Sequence, residues 1–217
     1  MTSSQAPSAV DLLFQVDKCR TQLTANGAPL ERVTVSVNGQ NYLAYRNAFA
    51  NLPSLINAGR VHGPREFMVY GNDRWTFDRF FLAVDALAAN LQRKLGLQSG
   101  DRVAIAMRNR PEWVIAFAAI SLVGAIPAPL NSHGLNDELM ANLVDLKPKL
   151  IVCDPKRFAR VQDNLTSLAC KVVVVDDFAQ QGDISWQAMT EASTSVHRTP
   201  ELQSTDPALV LFTSGAS

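Results

Sequence analysis

Four short and nearly continuous apolar runs recur along the chain: "VAIAM" (103–107), "AIPAPL" (125–130), "LIVC" (150–153) and "VVVV" (172–175). A strand that is apolar at every position buries both faces, which an antiparallel sheet with one wet face does not require. Between the runs the period changes to that of a helix. Phe80, Val84, Leu87, Leu91 and Leu95 share one face, with Thr76 as N-cap and Gly96 just past the end. Pro111 opens a second helix through Ile120, closed by Gly124. Leu139, Leu143 and Leu146 mark a third, and Phe158, Val161, Leu165 and Leu168 a fourth, the last with Asp154 and Pro155 as cap and first turn. Strands alternating with helices of this length specify an α/β fold with a mostly parallel central sheet covered on both faces.

Ahead of the alternating region the pattern differs. "ERVTVSVNGQNYLAY" alternates around Asn38-Gly39, the preferred dipeptide of a type I′ hairpin turn. "FMVYGNDRWTF" suggests a second hairpin around Gly71, Asn72 and Asp73. The reading by region is a loose Ser/Thr/Gln/Pro-rich terminus over 1–10, an extension with hairpins over 11–75, and an α/β subdomain over 76–217. Residues 178–207 read as a surface excursion apart from a short "ISWQAM", after which "ALVLF" is expected to add a further strand.

Composition excludes several classes. The chain has 217 residues, 47% of them hydrophobic, enough for a substantial core. Twenty basic residues balance twenty acidic ones, so the basic surface that nucleic-acid binding demands is absent. Cys19, Cys153 and Cys170 are odd in number and lack metal-ligand spacing, which fits a reducing cytosol. "WVIAFAAISLVGAIPAPL" approaches membrane-spanning length, but Gly124, Pro127 and Pro129 divide it into a helical and a strand-like half. No basic region precedes the apolar segment of the N-terminus, so it does not read as a secretory signal. The expected location is cytoplasmic.

The candidate site residues are few. "TSGAS" after an apolar run is a general phosphate-holding pattern, since Gly permits close backbone approach while N–H and hydroxyl groups donate. His62, His133 and His197 have no partners at metal spacing, and His133, beyond the end of a strand, reads as a loop residue. Asp176-Asp177 reads as a solvated strand end. Arg108, Asn109 and Arg110 stand at a helix entrance where an anion could sit, but Pro111 and Glu112 already make a normal first turn, so capping and solvation are expected there.

Several stretches in order resemble the N-terminal part of the adenylate-forming acyl-CoA synthetase family. They are "NLPSLINAGRVHGPREFMVYGNDRWTF", "LGLQSGDRVAIAMRNRPEWVIAFAAISLVGAIPAPLN", "DELMANLVDLKPKLIVCD" and the terminal "LVLFTSGAS". The nearest likeness is to fatty-acyl-CoA ligases. Thr76 departs from the family's Thr-x-x-Glu capping box, with Arg79 at the third helical position and Asp78 before it.

The resemblance implies Thr213, Ser214, Gly215 and Ser217 as ATP-phosphate contacts, with Ala216 where the family often carries a hydroxyl. It implies ATP, Mg2+ and coenzyme A in the complete enzyme, a carboxylic acid as substrate, and two steps through an acyl-adenylate. The family's loop continues into Gly-x-Pro-Lys-Gly character, so the chain resembles a cut ligase, and no catalytic or metal-binding residue carries over. Residues 1–217 alone are therefore expected to be inactive and to bind none of these ligands tightly. A second reading is a natural truncated relative acting as a noncatalytic binding or regulatory module, whose exposed apolar face would favour a homodimer or a dedicated partner. A free-standing nucleotide-binding protein is a third, against which no Gly-x-Gly-x-x-Gly or complete Walker loop occurs.

Overall fold

The computed structural model describes residues 8–131, 133–134, 136–176, 184–191 and 196–213. They form two compact units, 1–49 and 50–217.

The first unit opens on helix α1 (Ala9–Thr24), which the apolar pattern did not announce. Its start is chemical. The Ser8 hydroxyl accepts the Asp11 N–H at 3.2 Å, and the Asp11 carboxylate accepts the Ser8 N–H at 3.2 Å. No α1 residue is buried. Strands β1 (Arg32–Val37) and β2 (Gln40–Tyr45) then pair antiparallel. Their turn has φ of 51° at Asn38 and 79° at Gly39, the two positive values of a type I′ turn. Glu31 fastens the hairpin's base, accepting from the Gly27 N–H at 3.1 Å and from Arg46 Nε at 2.9 Å.

The second unit begins with α2 (Leu52–Ala58), also absent from the sequence reading, capped by Asn51. A 3-10 turn (Gly59–His62) leads to the hairpin of β3 (Glu66–Tyr70) and β4 (Asp73–Thr76). Helix α3 (Phe77–Leu95) follows with the expected Thr76 cap, whose hydroxyl accepts the Arg79 N–H at 3.1 Å. The departure from Thr-x-x-Glu costs the helix no cap: Asp78 supplies the first-turn acid, and Arg79 pairs with Asp73 while lying over the Trp75 ring.

The alternating region builds one parallel sheet from β5 (Arg102–Ala106), β6 (Ile126–Pro129), β7 (Leu150–Cys153), β8 (Lys171–Val174) and β9 (Ile184–Ser185), in the order β6-β5-β7-β8-β9. The connecting helices are α4 (Pro111–Leu122), α5 (Asn136–Leu146), α6 (Pro155–Val161), α7 (Leu165–Leu168) and, after β9, α8 (Trp186–Thr190). Alternate residues of β5 serve opposite faces. Val103 and Ile105 join one core with α3, α4 and Met189 of α8, while Ala104 and Ala106 face α5 and α6 in a second. Among the described residues no helix is long and apolar enough to cross a membrane.

Three expectations are corrected. The helix expected through Leu168 is split by a 3-10 turn at Gln162–Asn164, where Asp163 and Asn164 are poor helix formers. The fifth strand comes from the 178–207 region, as β9, and not from "ALVLF". Residues 207–213 form no strand. The cause lies in β6. Ile126 and Leu130 donate toward Asp101 and Ile105 on the β5 side, so by alternation Pro127 and Pro129 occupy the positions that would donate outward. Proline has no N–H to give. One bond survives, from the Val210 N–H to the Pro127 carbonyl at 3.1 Å.

Candidate functional site

In an open parallel sheet the ligand end is the carboxyl end of the strands, at the point where strand order reverses. Here the chain leaves β5 by α4 to reach β6 on one side, then returns by α5 to β7 on the other side of β5. The reversal therefore falls between the carboxyl ends of β5 and β7, where residues 107–110 and Asp154 emerge.

At that crevice the chain's own groups pair with one another. Asp154 Oδ1 accepts the Arg157 N–H at 2.9 Å, Oδ2 accepts the Arg108 N–H at 3.2 Å, and Arg157 Nη1 lies 3.1 Å from Oδ2. The two side chains are 9% and 4% exposed. Among the described residues every buried side-chain polar atom has a partner, so the crevice leaves no buried side-chain donor open for a ligand.

Beside it, Arg110 spends its whole fork. Nε and Nη2 reach Glu112 at 2.7 and 3.1 Å, while Nη1 and Nη2 reach Asp176 at 2.8 and 2.7 Å. The expected capping and solvation at Arg110 is thus corrected to a three-member ion network, and Asp176 is not merely a solvated strand end. Asp177 lies outside the described residues. The guanidinium holds the Asp176 carboxyl below the usual carboxylate range, and the two acids raise the Arg110 pKa.

A depressed carboxylate pKa stabilises the fold above its unfolded value, and the gain is lost as pH falls through the folded value. Asp176 is 52% exposed, so solvent screening keeps the gain below about 1 kcal/mol. Asp176→Asn is expected to lower stability by that amount at pH 7 in urea unfolding. The difference from the unsubstituted chain should begin to shrink near pH 4 and vanish only as pH falls through the lowered folded value; a difference unchanged between pH 7 and pH 3 would show that the ion pair is not its source.

After β6, His133 is exposed, and its N–H donates to Asn131 Oδ1 at 3.0 Å in a local turn. Arg160 braces the same loop through the Gly134 carbonyl at 2.9 Å. His62 packs on Phe77, and His197 Nδ1 stands 3.7 Å from Asp85. Cys153 is buried, Cys170 half-buried with its thiol pKa raised by burial, and Cys19 exposed. Among the described residues no group of three or more His, Cys, Asp or Glu could hold a metal ion.

Thr213 is exposed at the end of the 207–213 segment. Val210 and Phe212 pack against the second core while Leu209 and Leu211 are 40% and 66% exposed, a period-two alternation. The other phosphate-loop candidates, Ser214, Gly215 and Ser217, lie outside the described residues. The sequence reading missed the Asp154–Arg157 and Arg110–Asp176 pairs. Only the first carried a local signal, an acid and a base three residues apart across a helix start.

The sequence profile of AMP-binding enzymes matches residues 56–217. A crotonobetaine/carnitine–CoA ligase of Salmonella paratyphi B is 31% identical over 135 residues, which cover 59% of this chain and 26% of that protein. Among solved structures, a Rhodopseudomonas palustris protein described as a long-chain-fatty-acid CoA ligase superposes with a TM-score of 0.68 at 25% identity, covering 76% of this chain and 42% of the other. An anthranilate CoA ligase bound to anthranoyl-AMP gives a TM-score of 0.71 at 18% identity, over 77% of this chain and 33% of the other. The chain spans about a quarter of the length of the curated relatives it matches. A match that covers most of the chain, on an α/β unit whose sheet and helices superpose on solved CoA ligases, makes this chain a member of the AMP-binding enzyme family.

Proposed function

We propose that the chain supplies the N-terminal part of an ATP-dependent acid–thiol ligase acting on a carboxylic acid, with fatty acids the first class to test. The observation that supports this is the match over residues 56–217, which takes in the "FTSGAS" segment together with the sheet that bears it. In the reaction a substrate carboxylate attacks the ATP α-phosphorus, forming acyl-AMP and releasing pyrophosphate. The coenzyme A thiolate then attacks the acyl carbonyl and AMP leaves.

This chain's share is to hold phosphate. The Thr213, Ser214 and Ser217 hydroxyls and the Gly215 N–H donate to phosphate oxygens as negative charge shifts among them. Among the described residues no ligand set for Mg2+ exists, so no step is assigned to a metal held here. No residue of 1–217 acts as acid, base or nucleophile in this scheme, and the isolated chain forms no acyl-adenylate.

The test is carboxylate-dependent ATP–pyrophosphate exchange, run on residues 1–217 and on the polypeptide purified from its natural source. Exchange by the natural polypeptide, with none from 1–217, is the expected result. Thr213→Ala should then raise its KM for ATP about tenfold, the loss of one hydrogen bond to a charged group. No exchange with any acid from the natural polypeptide would remove the ligase reading, and exchange by 1–217 alone would remove the claim of inactivity.

A further inference from the structure

The segment that delivers Thr213 is weakly held for one whose position matters. Its one backbone bond among the described residues is Val210 N–H to Pro127, and the proline edge of β6 offers no N–H in return. Just upstream, residues 196–202 are clamped much more firmly. The Gln92 side chain reads both backbone groups of Arg198, donating to its carbonyl at 2.8 Å and accepting its N–H at 2.8 Å. The Asn51 amide donates to the Leu202 carbonyl at 3.1 Å while its oxygen caps α2 through the Ser54 N–H at 2.9 Å. Pro200 sits over Gly124, where a Cβ would lie 2.4 Å from Pro200 Cγ. These contacts join parts of the chain up to 151 residues apart, and a turn with Gln203 N–H on the Asp206 carboxylate links the strap to the Val210 segment.

We propose that 196–202 is a strap that registers the phosphate segment on the sheet, with Gln92 and Asn51 as its positioning residues. The reach is short. From the Leu202 anchor to Val210 the free tether is about seven residues, whereas measured back to Val196 at the start of the strap it is about thirteen. Loop-closure entropy scales as three halves of the logarithm of length, so release of the strap opens the Val210 contact about two- to threefold more often. The link from this segment to ATP rests on the proposed function, but the strap's control of Val210 does not.

The test uses isosteric changes and amide exchange on the 217-residue chain. Gln92→Met keeps the length of the side chain and loses both the acceptor for Arg198 N–H and the donor to its carbonyl. Asn51→Asp keeps the α2 cap and loses the donor to Leu202. The double variant should speed exchange at both Arg198 and Val210, the latter about two- to threefold. Thr76→Ala, which weakens the other end of α3 by removing a cap, should leave Val210 exchange unchanged. Faster exchange at Arg198 with Val210 unaffected overturns the proposal, as does no change at either amide. An equal effect in Thr76→Ala also overturns it, because general stability would then be the cause. In the natural polypeptide the double variant should raise KM for ATP and spare KM for the acid. If that polypeptide proves not to use ATP, the exchange result still decides whether the strap positions the segment.

Discussion

Replacing Arg157 with Met is expected to destabilise unit 50–217 by about 3–5 kcal/mol, because it leaves the Asp154 carboxylate buried without its countercharge. The exposure of the pair sets the size. Asp154 and Arg157 are 9% and 4% exposed, whereas Arg74 and Glu66 on the β3–β4 hairpin are 50% or more exposed, and Arg74→Met should cost less than about 1 kcal/mol. At about 2–4 °C per kcal/mol for a unit of this size, Arg157→Met should lower Tm by about 10 °C. The double variant Arg157→Met with Asp154→Asn is the sharper measurement. Asn keeps one oxygen to cap α6, gives up the second oxygen that accepts the Arg108 N–H, and carries no charge to strand. The double variant should therefore be more stable than Arg157→Met alone. A single-variant cost under 1 kcal/mol, or strict additivity, would show that the two side chains are not coupled as a buried ion pair.

That crevice shows what a sequence carries and what it withholds. Strands β5 to β8, their order of appearance and the α3 boundaries were legible because each depends on neighbours in the chain: the apolar runs, the Thr76 hydroxyl, Gly96 in the left-handed region at φ 62°. The type I′ turn at Asn38-Gly39 was legible for the same reason. What escaped depends on partners remote in sequence. "ALVLF" has the composition of a strand, yet a strand needs donors and acceptors on the edge it joins, and Pro127 and Pro129 withhold the donors some eighty residues away. Arg110 was read from Pro111 and Glu112, while Asp176, 66 residues on, takes half its fork. Helix α1 escaped for another reason. Leu12, Val16, Cys19 and Leu23 recur at helical spacing, but Val10, Leu13 and Phe14 lie off that face and blur the stripe, which leaves the Ser8–Asp11 cap as the clearer signal. Thr213 is singled out in the sequence as a hydroxyl after an apolar run, but the strap that leads to it leaves no such local mark, since Gln92 and Arg198 are 106 residues apart.

Leu91→Ala is the second large effect, expected at about 3–5 kcal/mol from lost transfer energy plus the cavity left behind. Leu91 is fully buried in the core that α3 shares with α4, β5 and Met189, while Leu82 on the same helix is 71% exposed. Both substitutions trade leucine for a better helix former, so propensity favours each slightly and cannot explain a loss. Leu82→Ala should stay within about 0.5 kcal/mol, and the difference between the two measures packing alone. Leu91→Met, which nearly conserves volume, should cost under about 1.5 kcal/mol. Gln92 and Asn90 flank Leu91, and their side chains hold the Arg198 backbone and the Met189 and Glu191 carbonyls. A cavity at Leu91 that lets α3 relax should therefore loosen the strap as well, and Arg198 amide exchange should rise in Leu91→Ala but not in Leu82→Ala. Equal urea midpoints for the two alanine variants would mean that α3 does not present its Phe80-to-Leu95 stripe to the core, and the register of Gln92 on the strap would be lost with it.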